Sequence, residues 1–119
     1  MQPPEPISTF QENSTHWCLR LPVLAAHPVF RGHFPDLPIL PGVVQVDWAV
    51  RLAQGLIPEL RCTPPCLEVE HLKFQAVVRP GIELQLRLHW QADHRRLVFD
   101  YTHEGRTCSS GRLQFEVVP

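Results

Sequence analysis

His33 and Asp47 stand fourteen residues apart in the run RGHFPDLPILPGVVQVDWAV, with the corner Pro41–Gly42 between them. An imidazole that titrates near neutrality is a natural general base. A carboxylate can return or orient the proton. A glycine opening a helix adds a third part: its N–H lacks an intrahelical acceptor, it lies at the positive end of the helix dipole, and it lets a ligand approach the backbone closely. Such donors stabilise the enolate-like charge that develops when a proton leaves the carbon alpha to a thioester. Each residue alone is weak evidence, because a loop histidine usually just hydrogen-bonds and a helix aspartate is usually solvated. Asp47, however, lies between Val46 and Trp48 in a helix expected to be buried, where an unpaired carboxylate is costly.

The elements that must hold these residues can be read around them. Pro28, Pro35, Pro38 and Pro41 exclude a long helix from His27 to Pro41. Val29, Phe30, Phe34, Ile39 and Leu40 make that stretch too apolar to be left in water, so it reads as an ordered loop. From Val43 to Leu56, apolar residues recur at three- and four-residue steps, which is helical periodicity. Gly42 precedes this segment and Pro58 follows it. Both long faces read as apolar, giving a mostly buried central helix. Trp17 to Leu24 reads as a strand that Pro22 demotes to an edge or ends. Leu67 to Val78 reads as another, closed by the Pro80–Gly81 turn. Ile82 to Trp90 alternates strictly, Leu97, Phe99 and Tyr101 form the next alternating set, and HEGR at 103–106 is a hairpin turn before a last strand carrying Leu113, Phe115 and Val117. One helix and about five strands predict an α+β domain, an antiparallel sheet over one long helix. Residues 1–15 read as a flexible N-terminal arm and 16–119 as the single domain.

At 119 residues the chain has room for one core but little for a large enclosed site. A net charge of −1 gives no basic field for nucleic acid or an anionic membrane. No apolar run approaches the roughly 20 residues of a membrane span, and the first residues lack a basic then apolar leader, so a cytoplasmic protein is expected. Cys62 and Cys66 frame CTPPC, which is not C-x-x-C and has no second ligand pair at finger-like distance. With Cys18 and Cys108 they read as ordinary reduced thiols, and neither a metal nor another cofactor is implied.

The run GHFPDLPILPGVVQVD resembles the signature of the 3-hydroxyacyl-[acyl-carrier-protein] dehydratases, G-H-F-P-x-x-P-x-x-P-G-V with an acidic residue on the following helix. Gly32, His33, Phe34, Pro35, Pro38, Pro41, Gly42 and Val43 all match. KFQAVVRPG, Lys73 to Gly81, is similar to that family's lysine-phenylalanine strand and Pro-Gly turn, and ILPGVVQVDWA looks closest to dehydratase-like proteins of aryl-polyene pathways. The resemblance implies a hot-dog fold, a sheet wrapped around the central helix. It implies His33 as base, Asp47 as acid partner and Gly42 as amide donor to the thioester carbonyl, with His33 and Asp47 meeting across a dimer interface. Phe34, Pro41, Val43, Val46, Val50 and Arg51 would contact substrate, the acyl chain running along Val43, Val46 and Val50. Acyl carrier protein is the implied substrate carrier, and a second hot-dog subunit, identical or not, the implied partner.

One position departs from the pattern: Arg51 stands four residues after the acid, where the family usually has glutamine. An i,i+4 Asp–Arg pair is favourable on a helix and favours the charged carboxylate, a poor proton donor. Alternatively Arg51 points outward, toward the acidic carrier or a partner subunit. Of the other histidines, His27 lies nearest the loop and could line its mouth, while His71 reads as a packed or edge residue. His16, His89, His94 and His103 fall on polar faces, ends or turns, and Trp48 reads as core. The predicted function is dehydration of a 3-hydroxyacyl thioester to the trans-2-enoyl thioester. The alternatives are a hot-dog thioesterase and a non-catalytic subunit of a heterodimeric dehydratase.

Overall fold

A computed structural model of the chain describes residues 2–31, 38–61 and 68–116. His33, Phe34, the CTPPC turn and Val117 lie outside the described residues. Six strands form one antiparallel sheet: β1 (Ser8–Asn13), β2 (His16–Val23), β3 (Glu68–Phe74), β4 (Ile82–Gln91), β5 (Arg96–His103) and β6 (Arg106–Gln114), in spatial order β1-β2-β4-β5-β6-β3. Among the described residues a single α-helix, α1 (Gly42–Leu56), packs against it.

The period-two pattern does what the pleat requires. Trp17, Leu19, Leu21 and Val23 of β2, Leu84, Leu86, Leu88 and Trp90 of β4, and Leu97, Phe99 and Tyr101 of β5 turn inward and are buried. Direct cross-strand pairing of Leu19 with Leu86 and of Leu88 with Phe99 holds the inner face in register. The HEGR turn is a tight hairpin in which Glu104 and Gly105 both take positive φ (48° and 78°), the conformation that two-residue hairpins demand.

Helix α1 opens directly after Pro41, whose fixed φ of −60° suits the cap position, and ends where Ile57 precedes Pro58. Its buried residues are Gln45, Trp48, Ala49 and Ala53, a single stripe. This corrects the expectation of a mostly buried helix. Val44, Val46, Val50, Leu52 and Leu56 are only partly covered, and Val43 is 77% exposed. One sheet face covers one side of a helix, and among the described residues the other side is left largely open.

Three further details differ from the sequence reading. Residues expected to be a loose arm carry β1, which pairs with β2 from Ser8 opposite Arg20 to Asn13 opposite His16. Pro22 does not put β2 at an edge: it faces Glu83 of β4 and lies beyond the end of β1, where its missing N–H costs no ladder bond. The strand expected to reach Val78 ends at Phe74, with His71 at positive φ (51°) where the β3–β6 register shifts. The proline-rich loop includes one short 3-10 turn, Pro28–Phe30, capped by the His27 side chain.

Candidate active site

The N-terminal turn of α1 carries three of the predicted residues, Pro41, Gly42 and Val43, and Val46, Asp47, Val50 and Arg51 follow on the same helix. The N–H groups of Val44 and Gln45 both turn back to the Pro41 carbonyl at 3.1 Å. Among the described residues no backbone carbonyl takes the Gly42 N–H, so the first amide of the helix keeps its donor. The glycine is there for space. A Cβ at this position would lie 2.7 Å from Cε1 and 3.0 Å from Cε2 of Phe74, and nearer still to Cζ. The Phe74 ring therefore rests on the bare backbone, and with Ile39, Leu40, Gly42, Gln45, Gln75, Ala76 and Val77 it lines a cleft of about 230 Å³. Apart from two glutamines and the glycine backbone, that lining is hydrocarbon. The cleft suits an apolar ligand with one carbonyl to be met by an N–H.

Asp47 is not the buried carboxylate expected from its neighbours. Its Oδ2 lies 2.9 Å from Nε of Arg51, and both side chains are nearly half exposed (45% and 43%). Of the two alternatives for Arg51, the ion pair is the one observed. At that exposure the pair contributes at most a few tenths of a kcal/mol, and its main effect is to set the direction of the carboxylate. Asp47 follows Gly42 by five residues, which on an α-helix is about 7.5 Å of rise and about 140° of rotation. The amide donor points off the helix end along its axis, and the acid leaves the side of the helix about one and a half turns further on. Val46 and Val50 pack partly against the core, Pro41 is exposed as the cap residue, and Val43 projects outward beside the cleft.

Sequence reasoning missed three residues beside this turn. Gln45 is buried, its Nε2 donates to the Leu40 carbonyl (3.0 Å), and its Oε1 accepts from Ser109 Oγ (2.7 Å). Its own carbonyl accepts from the Tyr101 hydroxyl at 2.6 Å. Burial, helped by the nearby Asp47 charge, raises the Tyr101 phenol far above its ordinary range and keeps it a donor. The available signal was a glutamine three residues into an otherwise apolar turn, since a buried amide must find partners.

The other candidates have structural roles. His27 Nδ1 accepts from Val29 N–H (3.0 Å), its Nε2 meets the Gln2 carbonyl (3.0 Å), and its ring stands edge-on to Trp48 at 5.1 Å. Trp48 is core, as expected. His16 and His89 stack on the outer sheet face with ring centroids 3.9 Å apart. Cys18 and Cys108 are free, and burial pushes both thiols up, away from nucleophilic character. Among the described residues no group of three or more His, Cys, Asp or Glu side chains could hold a metal ion, and no helix is long and apolar enough to cross a membrane.

A six-stranded antiparallel sheet on one helix, with a glycine opening that helix over an apolar cleft, defines a hot-dog domain. The comparisons agree. The ApeI-like family, described as ApeI dehydratase, matches residues 9–112, and the chain belongs to that family. It superposes on a chain of the dehydratase heterocomplex ApeI:P from Xenorhabdus doucetiae with a TM-score of 0.86 and 32% identity, covering 97% of this chain and 98% of that one. An uncharacterized protein from Erwinia carotovora subsp. atroseptica matches at TM-score 0.81 and 34% identity, covering 99% and 98% of the two chains. The 3-hydroxyacyl-[acyl-carrier-protein] dehydratase FabZ of Thermotoga neapolitana is 40% identical over 58 residues, which is 48% of this chain and 42% of that protein. The likeness to that curated relative therefore spans less than half of its length.

Proposed function

We propose that this chain dehydrates a 3-hydroxyacyl thioester, carried by acyl carrier protein, to the trans-2-enoyl thioester. The observation that carries the reading is the Gly42 amide at the start of α1, without an acceptor among the described residues and set in an apolar cleft under Phe74. In this reading the amide takes the thioester carbonyl, His33 removes the alpha proton, and Asp47 orients the leaving hydroxyl or its water. Membership of a dehydratase family and the FabZ likeness over 58 residues support it. Pro41, Phe34, Val43, Val46 and Val50 would border the acyl chain, and Arg51 would hold Asp47. The working unit would be one hot-dog domain over residues 16–119, with the preceding arm adding β1. A cytoplasmic setting belongs to the same proposal.

The site also needs a second subunit. Among the described residues, edge strand β3 has a neighbour on one side only, and Ile39, Val43, Phe74 and Val77 are exposed beside the cleft. Docking a second hot-dog subunit there would cover them and deepen the cleft. A partner-subunit role, in which catalysis appears only in a heterodimer, is favoured by the exposed Asp47–Arg51 pair and by the likeness to a chain of a heterocomplex.

The test is mass-spectrometric turnover of 3-hydroxyacyl carrier proteins by the chain alone and mixed with candidate hot-dog partners. Loss of water is expected, and His33→Ala should abolish it in a folded protein. Undiminished turnover by that variant would sink the assignment. Turnover only in the mixture would select the subunit role.

A further inference from the structure

Gln45 has more bonds than packing requires. It is 3% exposed within an apolar core, and an amide there is costly unless its polar atoms are bonded. An apolar side chain of equal size would fill the space without that condition. Instead Nε2 holds the Leu40 carbonyl, Oε1 holds Ser109 Oγ, and the main-chain oxygen holds the Tyr101 hydroxyl, at 3.0, 2.7 and 2.6 Å. Ser109 and Tyr101 are themselves fully buried, on β6 and β5. The same Leu40 residue is gripped at its other end, its N–H donating to the Val78 carbonyl at 2.7 Å.

Between Leu40 and Gly42 lies only Pro41, whose ring fixes φ. A clamped Leu40 followed by a locked proline leaves the Gly42 amide little freedom to turn. Hydrogen bonds do this better than apolar contacts, because they fix direction as well as distance. A buried polar network in which every partner is satisfied is the usual way to hold a reacting group in place.

We infer that Gln45 is a positioning residue: acting through Leu40, and anchored by Ser109 and Tyr101, it aims the Gly42 N–H at the thioester carbonyl. The inference rests on the dehydratase reading. Gln45 touches no reacting atom. What it changes is the alignment of the donor, so its loss should appear in kcat and not in KM.

The test uses the full chain, with its hot-dog partner if one is needed, as Gln45→Met, Gln45→Glu and Ser109→Ala. Methionine keeps the volume and removes both side-chain bonds. Glutamate keeps an acceptor for Ser109 but loses the donor to Leu40. The Gln45 variants should lose about 10-fold or more in kcat with KM within about twofold, the scale of a displaced transition-state donor. The Gly42 amide resonance should move in the same variants. Ser109→Ala removes one anchor without touching the helix, and should lose several-fold in kcat at unchanged KM; it carries the test if the Gln45 variants do not fold. Folded variants with wild-type kcat would overturn the inference, as would a fall in kcat with the Gly42 resonance unmoved. A wild-type protein without turnover would overturn the dehydratase reading instead, and the Gly42 resonance alone would then decide whether Gln45 positions that amide.

Discussion

Replacing Gly42 with alanine separates a packing role from a chemical one. The added Cβ would meet Phe74 at 2.7 Å from Cε1 and 3.0 Å from Cε2, whereas ordinary carbon contacts lie at about 3.5–4.0 Å. The ring must withdraw by about 1 Å. Phe74 is half exposed at the end of β3, so the ring has room to move and the folding cost is small. Alanine is also the better helix former, by up to about 1 kcal/mol in a helix interior and less at a first position. Stability should therefore change by less than about 1 kcal/mol, within the range of most single substitutions. The chemistry should not escape so lightly. The methyl group sits beside the Gly42 amide, where the thioester must approach, and a displacement of about 1 Å at a reacting centre costs on the order of 100-fold. At about 1.36 kcal/mol per tenfold, that is roughly 2.7 kcal/mol of transition-state stabilisation. Initial rates of dehydration, read beside a thermal melt, measure both quantities at once. A Gly42→Ala protein with wild-type kcat/KM would refute the argument that this amide binds the carbonyl. A protein that fails to fold would refute the argument that Phe74 can yield.

Three other outcomes follow from particular contacts. Tyr101 is the only tyrosine, and its raised phenol pKa makes the fold lose stability at alkaline pH. Below the unfolded value of 10.0 the phenol is neutral in both states. Above it only the unfolded chain ionises, so stability should fall by up to about 1.4 kcal/mol per pH unit. Denaturant midpoints from neutral pH upward should show this fall, Tyr101→Phe should flatten it, and a phenolate absorbance appearing before unfolding would contradict the burial. Tyr101→Phe should also cost about 1 kcal/mol at neutral pH, from the lost bond to the Gln45 carbonyl. Leu86→Ala, in the fully buried centre of β4, should destabilise by about 2–5 kcal/mol in urea, and a smaller loss would mean the inner face can collapse around it. Arg51→Ala should change stability by no more than about 0.5 kcal/mol, because its partner is half exposed. A much larger loss would show that the pair is buried in the assembled protein, and solution mass measured beside it would show whether a second subunit is present.

Local chemistry was legible in the sequence because it depends on neighbours along the chain. Strict alternation from Ile82 to Trp90 can bury only one face, and HEGR can make only a tight hairpin. Pro41–Gly42 before a three-and-four repeat can only open a helix. The motif from Gly32 to Val43 likewise named the family, since eight matching residue types at fixed spacing are far more specific than any one of them. Other features required strands far apart in the chain to meet. Asp47 is surrounded by apolar residues in sequence, yet its side chain leaves the helix where the sheet does not reach, so it lies half in solvent against Arg51. Gln45 looks like a surface residue until β5 and β6 bring Tyr101 and Ser109 to it from more than fifty positions away. Phe74 reads as one more strand residue until the fold lays its ring on Gly42. The sequence alone determined which groups could do the chemistry, because residue type sets proton affinity and backbone freedom. Only the tertiary structure decided which of them are buried, bonded and aimed, because burial and direction belong to the packed whole.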